Sequence, residues 1–287
     1  MRYRPFNRSG LSTSAITVAI PAGSLRETDA FRLICTALEH GINSFDIADG
    51  DEAAAAALRQ AIASVGRGVL VLTLRLERVD ADEELTPTVR TALHTSGAGF
   101  FDVLMLDEAC ALTPRTCEQI EALKAARLVR MAGMAGDREG AEAALAAPEI
   151  DVLSTTYNLR SGWPERNRLK AASTRGMTLV GRNFSVDPAR AVKLESPKGL
   201  GRLFRKPPPA QVQHAYDFMK ETRGWTPHQI SLAYALTEPS LATVQVETAS
   251  PALVEELAGT VERQLPAGVT AQIELARVAI LAEANAA

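Results

Sequence analysis

Short apolar runs alternate with amphipathic helical stretches along almost the whole chain. The apolar runs predict eight buried strands, at residues 15–20, 42–48, 69–74, 101–106, 128–135, 150–156, 177–181 and 241–246. Most of them precede a stretch with helical spacing, such as 28–40, in which Phe31, Ile34 and Leu38 share one face before Gly41. This alternation predicts parallel strands that are connected by helices.

Strands that are apolar on both faces are buried on both sides, and eight such units close into a (β/α)8 barrel, the TIM barrel. A hairpin over 2–14 precedes the predicted barrel, and helices follow its last strand. An open doubly wound sheet is the alternative, but no G-x-G-x-x-G follows the first strand. We therefore expect residues 1–287 to form a single α/β barrel domain with a long irregular loop at 186–209.

Composition narrows the class of protein. The chain is 46% hydrophobic, and its net charge of -3 gives no field that would draw it to nucleic acid. It contains no apolar run long enough for a bilayer and no signal peptide at its start. Three cysteines without metal spacing indicate a reducing compartment, so we expect a cytoplasmic protein.

Acidic residues cluster near the predicted strand ends. Asp46 lies where the second strand gives way to a loop, and catalytic groups of an α/β barrel occupy that end. Together with Asp51, Asp107 and Glu247 it could form a metal site, since hard cations favour carboxylates. A solvated acidic rim is the interpretation that we favour, so we expect no metal. The four histidines lie on or near predicted helices, which argues against zinc.

Several segments, in this order and spacing, resemble the aldo-keto reductases. The segment 41–49, Gly-Ile-Asn-Ser-Phe-Asp-Ile-Ala-Asp, is similar to the best-known signature of that family. Tyr3-Arg4-Pro5 is similar to its opening hairpin, Tyr157-Asn158-Leu159 to the end of its sixth strand, and Ser250-Pro251 to the helix after its eighth. The resemblance implies the barrel fold, a nicotinamide cofactor and carbonyl reduction.

The catalytic set that the resemblance implies is incomplete. The family uses a tyrosine as proton donor, a lysine and an aspartate that tune it, and a histidine that orients the substrate. Asp46 is retained, whereas Asp51, Leu74 and Asp107 stand where the tyrosine, lysine and histidine are expected. Arg75 is adjacent to Leu74, but strand alternation predicts that it points to the other face. We therefore expect no working catalytic residue, only Asp46 as a remnant.

Several of the cofactor-binding residues that the resemblance implies are also replaced. Ser154 replaces an expected glutamine, and Ala249 replaces the arginine that grips the 2′-phosphate of NADPH, which Glu247 would repel. We therefore expect NAD(H) rather than NADPH. The candidate cofactor residues fall into three groups. Tyr157 would stack on the nicotinamide. Arg182, Asn183 and Ser185 would lie near the pyrophosphate, and Ser250 and Glu256 near the adenosine.

Two further segments suggest interaction rather than catalysis. The stretch 193–206 carries five lysine or arginine residues around Leu200, Leu203 and Phe204, so it could cover a cofactor, bind an acidic partner or be a solvated loop. The tail 283–287 ends in Ala286-Ala287, which resembles the tags read by ClpXP-type proteases.

The function implied is therefore regulatory. Catalytically degenerate aldo-keto reductases that regulate bacterial cell division share these features, and that resemblance implies FtsZ and a cell-cycle histidine kinase as partners. Two alternatives stay open. One is an enzyme of altered chemistry (lyase, isomerase or residual oxidoreductase) that uses the acidic pocket; the other is a scaffold that binds no small ligand.

Overall fold

A computed structural model describes residues 1–6, 10–80, 83–187 and 215–286, with side chains as far as residue 280 in the last stretch. Ten strands are present in it: β1 Tyr3–Phe6, β2 Leu11–Ser14, β3 Ile16–Ala19, β4 Ser44–Ala48, β5 Val71–Leu76, β6 Phe101–Asp107, β7 Val129–Ala135, β8 Val152–Thr156, β9 Thr178–Arg182 and β10 Leu241–Glu247. Strands β3 to β10 form a closed barrel, in which β10 pairs with β3. The predicted barrel is confirmed.

Helices follow the barrel strands on the outside. They are α1 Glu27–Glu39, α2 Glu52–Val65, α3 Leu85–Ser96, α4 Pro114–Ala125, α5 Glu139–Ala146, α6 Trp163–Arg175, α7 Phe218–Glu221, α8 Pro227–Ala235, α9 Pro251–Ala258 and α10 Val269–Ala286. Local chemistry sets their starts: Thr113 caps α4 by accepting from the Thr116 amide at 3.1 Å, and Pro114 takes the first position. Among the described residues, no helix has the length and apolarity to cross a membrane.

Two predicted helices differ from the structure. The helix predicted at 210–222 is reduced to α7 among residues 215–222, and 210–214 lie outside the described residues. The helix predicted at 250–264 ends at Ala258, and hydrogen-bonded turns from Gly259 through Arg263 follow it.

Each barrel strand separates two kinds of environment. The outward side chains join one large apolar core with the helices, to which β5 contributes Leu72, Leu74 and Leu76. The inward side chains are mixed. An apolar group that includes Val103, Met105 and Val180 packs around Phe6.

The N-terminal hairpin, β1 with β2, lies against the barrel end opposite the strand C-termini. Strands β1 and β2 pair antiparallel, as predicted, while the turn residues 7–9 lie outside the described part. Phe6 is only 2% exposed among inward-facing side chains. The Arg4 guanidinium fastens the hairpin by donating to the carbonyls of Leu236 and Leu241 at 2.8 and 2.6 Å.

Candidate functional site

A cavity of about 390 Å³ opens at the C-terminal ends of the barrel strands. Its lining is predominantly polar or charged: Asp46, Arg75, Met105, Asp107, Ala135, Ser154, Arg182, Asn183, Phe184, Ser185, Gln245 and Glu247. Active sites of α/β barrels lie at this end, because the loops that follow the parallel strands converge there. The cavity is therefore the candidate site.

Asp46 lies at the centre of the hydrogen-bond network on one wall. Its carboxylate accepts from Arg75 Nε at 3.1 Å and from Gln245 Nε2 at 3.0 Å. Burial raises the pKa of Asp46 to about 6, although the Arg75 charge opposes the shift. Burial lowers the pKa of Arg75, but Asp46 and Glu247 outweigh it, and the net shift is upward. The wall thus holds a fixed cation beside an acid that titrates near neutrality.

Arg75 was predicted to face away from the cavity, and that prediction is wrong. Side chains alternate along β5, so that Thr73 and Arg75 point inward while Leu74 points to the helices. Leu74 is fully buried in the outer core and does not line the cavity. The inward residue near the position expected for the lysine is therefore a guanidinium, and a cation is still paired with Asp46.

The other two replaced positions have different surroundings. Asp51 caps α2 by accepting from the Ala54 amide at 3.0 Å, and it also accepts from the Gly23 amide at 3.1 Å. It does not line the cavity, so its role is that of a helix cap. Asp107 does line the cavity, at the end of β6.

Arg182 lies on the opposite wall of the cavity, near three carboxylates. Its guanidinium nitrogens lie 4.0 Å from Asp107, 3.8 Å from Glu108 and 3.7 Å from Asp137. These are long ion pairs, and the carboxylates have other partners: Asp137 accepts from the Thr155 and Thr156 hydroxyls at 2.7 Å. Burial opposes these bonds, but they leave the pKa of Asp137 below its usual value. The carboxylates therefore hold Arg182 loosely.

Two polar atoms on the cavity wall have no hydrogen-bond partner among the described residues. They are the Ser154 hydroxyl, in a residue 2% exposed, and Arg182 Nε. Buried polar groups are normally paired, and leaving one unpaired costs about 1–3 kcal/mol. Both residues line the same cavity, but the two atoms themselves are buried, so a ligand oxygen would reach these donors only if the surrounding side chains moved.

The next two candidate cofactor residues follow Arg182 and also line the cavity. Asn183 has φ +51°, and its amide donates to the Thr156 hydroxyl at 3.0 Å. Its carbonyl accepts from Asn158 Nδ2 at 2.8 Å, so this left-handed conformation is held on both sides. Ser185 is exposed at the rim. The structure thus brings Arg182, Asn183 and Ser185 together.

The other three candidates do not reach the cavity. Tyr157 is 3% exposed, and its ring stacks on Tyr234 with centroids 6.1 Å apart. Burial raises its pKa. Ser250 caps α9, and Glu256 accepts a hydrogen bond from the Thr226 hydroxyl. A nicotinamide could stack on Tyr157 only if this ring left its packed position.

The acids predicted as a metal site or a rim do not gather around one point. Within the described ranges, no group of three or more histidine, cysteine, aspartate or glutamate side chains could hold a metal ion. Asp51 is engaged at the start of α2, and Asp46 is bound to Arg75. The acidic residues at the mouth therefore act as partners for the two arginines.

Comparison with known proteins identifies the family. The model of the aldo/keto reductase family matches residues 15–277. The chain belongs to the aldo/keto reductase family. The aldo-keto reductase AKR11C1 from Bacillus halodurans has a similar fold in its holo form, with a TM-score of 0.74, 21% identity and 96% of each chain covered. Its apo form gives a TM-score of 0.72 at 21% identity, again over 96% of each chain. Curated protein sequences give no match.

The barrel mouth of this member of the aldo/keto reductase family carries two arginines and several carboxylates. None of the residues described as lining the cavity is a tyrosine, a histidine or a lysine. Arginine stays protonated throughout the range in which proteins are folded, so Arg75 and Arg182 can bind and orient but cannot deliver a proton. Asp46 is the buried acid in the cavity that can change its protonation state near neutral pH.

Sequence reasoning missed the roles of Arg75 and Gln245. A signal for Arg75 was present, because Leu72, Leu74 and Leu76 alternate with Thr73 and Arg75. Such a period of two places the leucines on the apolar outer face. Gln245 carried no comparable signal, since its partner is 199 residues away in the chain.

Proposed function

We propose that this aldo/keto reductase family member binds NAD(H) at the barrel mouth and regulates bacterial cell division through protein contacts, without reducing carbonyl substrates. The observation that carries the proposal is the Asp46–Arg75 ion pair at 3.1 Å, in a cavity whose described lining lacks the proton-donating tyrosine of the family. A site that binds but has no proton donor suits a sensor better than a reductase.

The electrostatics argue against carbonyl reduction in a second way. Reduction creates a developing alkoxide, which needs donors or a proton aimed at it. Around Arg75, the carboxylates of Asp46, Glu77 and Glu247 already act on the guanidinium. Little positive potential is left there for a developing oxyanion.

Partial complementarity to a dinucleotide supports the cofactor proposal. Arg182 and Ser154 line the cavity and each has a buried polar atom without a partner among the described residues, and Asn183 and Ser185 also line the cavity. These residues would hold the carboxamide or phosphate oxygens of a bound dinucleotide, which supplies hydride chemistry when a reaction partner is present. The Glu247 carboxylate at the rim and Ala249 beyond it favour NAD(H) over NADPH.

The regulatory part of the proposal comes from resemblance. A reductase fold without the catalytic set resembles the alphaproteobacterial cell-division regulator KidO. We therefore propose FtsZ and a cell-cycle histidine kinase as partners, and recognition of Ala286-Ala287 by a ClpXP-type protease.

Calorimetric titration with NADH, with NADPH as the comparison, tests the cofactor proposal. We expect NADH binding that is at least tenfold tighter than NADPH binding. Arg182→Gln should weaken NADH binding about tenfold, whereas Arg160→Gln, which lies near Tyr216 and does not line the cavity, should leave it unchanged. Absence of binding by either nucleotide would overturn the cofactor proposal and leave a scaffold or a different enzyme.

A second candidate function is favoured by the titration of Asp46. A buried acid whose pKa is about 6 can serve as a general acid or base at neutral pH. A lyase or isomerase acting on a sugar-like substrate would use it in this way. Turnover that is lost in Asp46→Asn and retained in Asp107→Asn would favour this enzyme over the sensor.

A further inference from the structure

A second concave surface lies on the outside of the barrel, between α4 and α5. It is a groove of about 810 Å³ that shares no lining residue with the mouth cavity. Apolar side chains form its floor: Leu112, Pro114, Ala143, Ala146 and Ala147. Half-buried Cys117 also lies in the groove, and we call the whole surface the α4–α5 groove.

The sequence explains why the helix layer is open at this point. Helix α5 has only eight residues, and Ala143 and Ala146, which line the groove, are too small to fill it. Helices α4 and α5 pack less closely than α1 and α2 do. An apolar floor that small side chains leave uncovered is typical of a site that receives larger side chains from elsewhere.

The rim of the groove is acidic. Glu118 and Glu121 lie on α4, and Glu149 lies on the loop after α5. Burial raises the pKa of the Cys117 thiol, and Glu149 and Glu121 raise it further. Lys124 lies 3.1 Å from Glu121, but it also pairs with Asp151 at 2.8 Å. The groove therefore presents a negative potential over an apolar floor.

We propose that the α4–α5 groove is the docking site of the chain's own basic stretch, residues 193–206. This stretch carries Lys193, Lys198, Arg202, Arg205 and Lys206 against a single acid, Glu195. Leu200, Leu203 and Phe204 lie among these cations, so both the charge and the apolar content complement the groove.

The stretch lies within residues 188–214, which join Asp187 to Ala215 outside the described part of the chain. Five residues join Asp187 to Lys193 and eight join Lys206 to Ala215, so these connections span at most roughly 20 Å and 30 Å. The groove that receives the stretch belongs to the same chain or to a second copy, and the two cases differ in their dependence on protein concentration. This inference does not depend on NADH binding, so failure of the NADH titration would leave it intact.

Cysteine modification tests the docking in the full-length protein. The rates of Cys117 modification by a bulky polyethylene glycol maleimide and by small N-ethylmaleimide are compared, because their ratio reports steric cover rather than thiolate content. We expect this ratio to rise at least tenfold when the five cations of 193–206 are replaced by serine. Cys35, half-buried on α1, is the internal control and should not change. An unchanged ratio at Cys117 would overturn the proposal.

A synthetic peptide of residues 193–206 gives a second measurement that does not rest on one variant. It should bind the serine-substituted chain and restore protection of Cys117. The double variant Glu118→Gln, Glu121→Gln should weaken this binding at least fivefold. Glu142→Gln, which changes an exposed acid on α5 outside the groove lining, should not.

The concentration dependence of Cys117 protection in the unsubstituted protein shows which chain supplies the stretch. Protection that is independent of protein concentration assigns the docking to the same chain, and protection that rises with concentration assigns it to a second copy. Equal binding of a scrambled peptide would overturn the proposal.

Discussion

The two faces of strand β5 carry opposite chemistry within a few residues. Outward, Leu72, Leu74 and Leu76 pack into the continuous apolar core beneath the helices. Inward, Thr73 and Arg75 join a polar interior that holds the Asp46 carboxylate and the Gln245 amide. The outer face has one requirement, the exclusion of water, and many apolar residues meet it. The inner face depends on individual hydrogen bonds, so that each residue there has a specific partner.

The largest effect is expected from the outer face. Leu74 is fully buried, so Leu74→Ala should cost about 2–5 kcal/mol of unfolding free energy through lost burial and a cavity. Urea denaturation measures this cost, and Leu74→Met, which keeps the volume, should cost less than about 1.5 kcal/mol. NADH affinity should not change in either variant. A change in NADH affinity with little loss of stability would mean that Leu74 belongs to the site.

The next effect depends on pH and comes from the inner face. The pKa of Asp46 is about 6 in the folded protein and near 3.8 in its ordinary state. Between these values the folded protein holds a proton that the unfolded chain has released, so this group lowers stability as the pH rises. Asp46→Asn should match the parent near pH 3 and exceed its stability by on the order of 3 kcal/mol above pH 7.

Chemical denaturation across this pH range measures the difference between the Asp46→Asn variant and the parent. Asp29→Asn, on the partly exposed start of α1, is the control for the loss of a carboxylate. A difference that is the same at all pH values would show that Asp46 does not titrate in this window.

A smaller effect is expected from the hydroxyl groups deeper in the barrel. The Thr17 hydroxyl lies 2.8 Å from the Ser44 hydroxyl and 2.9 Å from the Thr243 hydroxyl. Thr17→Val keeps the shape and removes these bonds, at a cost of about 1 kcal/mol. Val18→Thr, its neighbour on the outer face, should cost at least as much, because the new hydroxyl enters the apolar core. Thermal unfolding measures both variants. A Thr17→Val variant as stable as the parent would contradict the description of the inner face.

The smallest effect on stability is expected at Ser154. Its buried hydroxyl has no partner among the described residues, so Ser154→Ala removes an unpaired group and should raise the unfolding free energy by up to about 1 kcal/mol. NADH affinity should fall about fivefold, because a donor to the ligand is lost. Thr178→Val removes another unpartnered buried hydroxyl, which does not line the mouth cavity, and should leave the affinity unchanged. Equal loss of affinity in both variants would place the effect in the barrel rather than at the site.

The same contrast explains what could be predicted from the sequence. Apolar runs such as 101–106 specify buried strands whatever their partners are, and the barrel followed from eight of them. The face of Arg75 was predicted wrongly because Leu74 was matched to the lysine position of the family, so that alternation placed Arg75 outside, although the leucines of this segment mark the outer face. The pairing of Asp46 with Gln245 depends on closure of the barrel through β10 and β3, which no local pattern encodes.

The hairpin at the base of the barrel has a kinetic consequence. Phe6 fills the interior opposite the mouth, and Arg4 fixes the hairpin to the carbonyls of Leu236 and of Leu241, the first residue of β10. The space between Phe6 and the mouth is about 20 Å³, little more than one water molecule occupies, so the mouth cavity has a single entrance. A ligand bound there must leave by the route through which it entered, and its residence time depends on whatever covers the mouth.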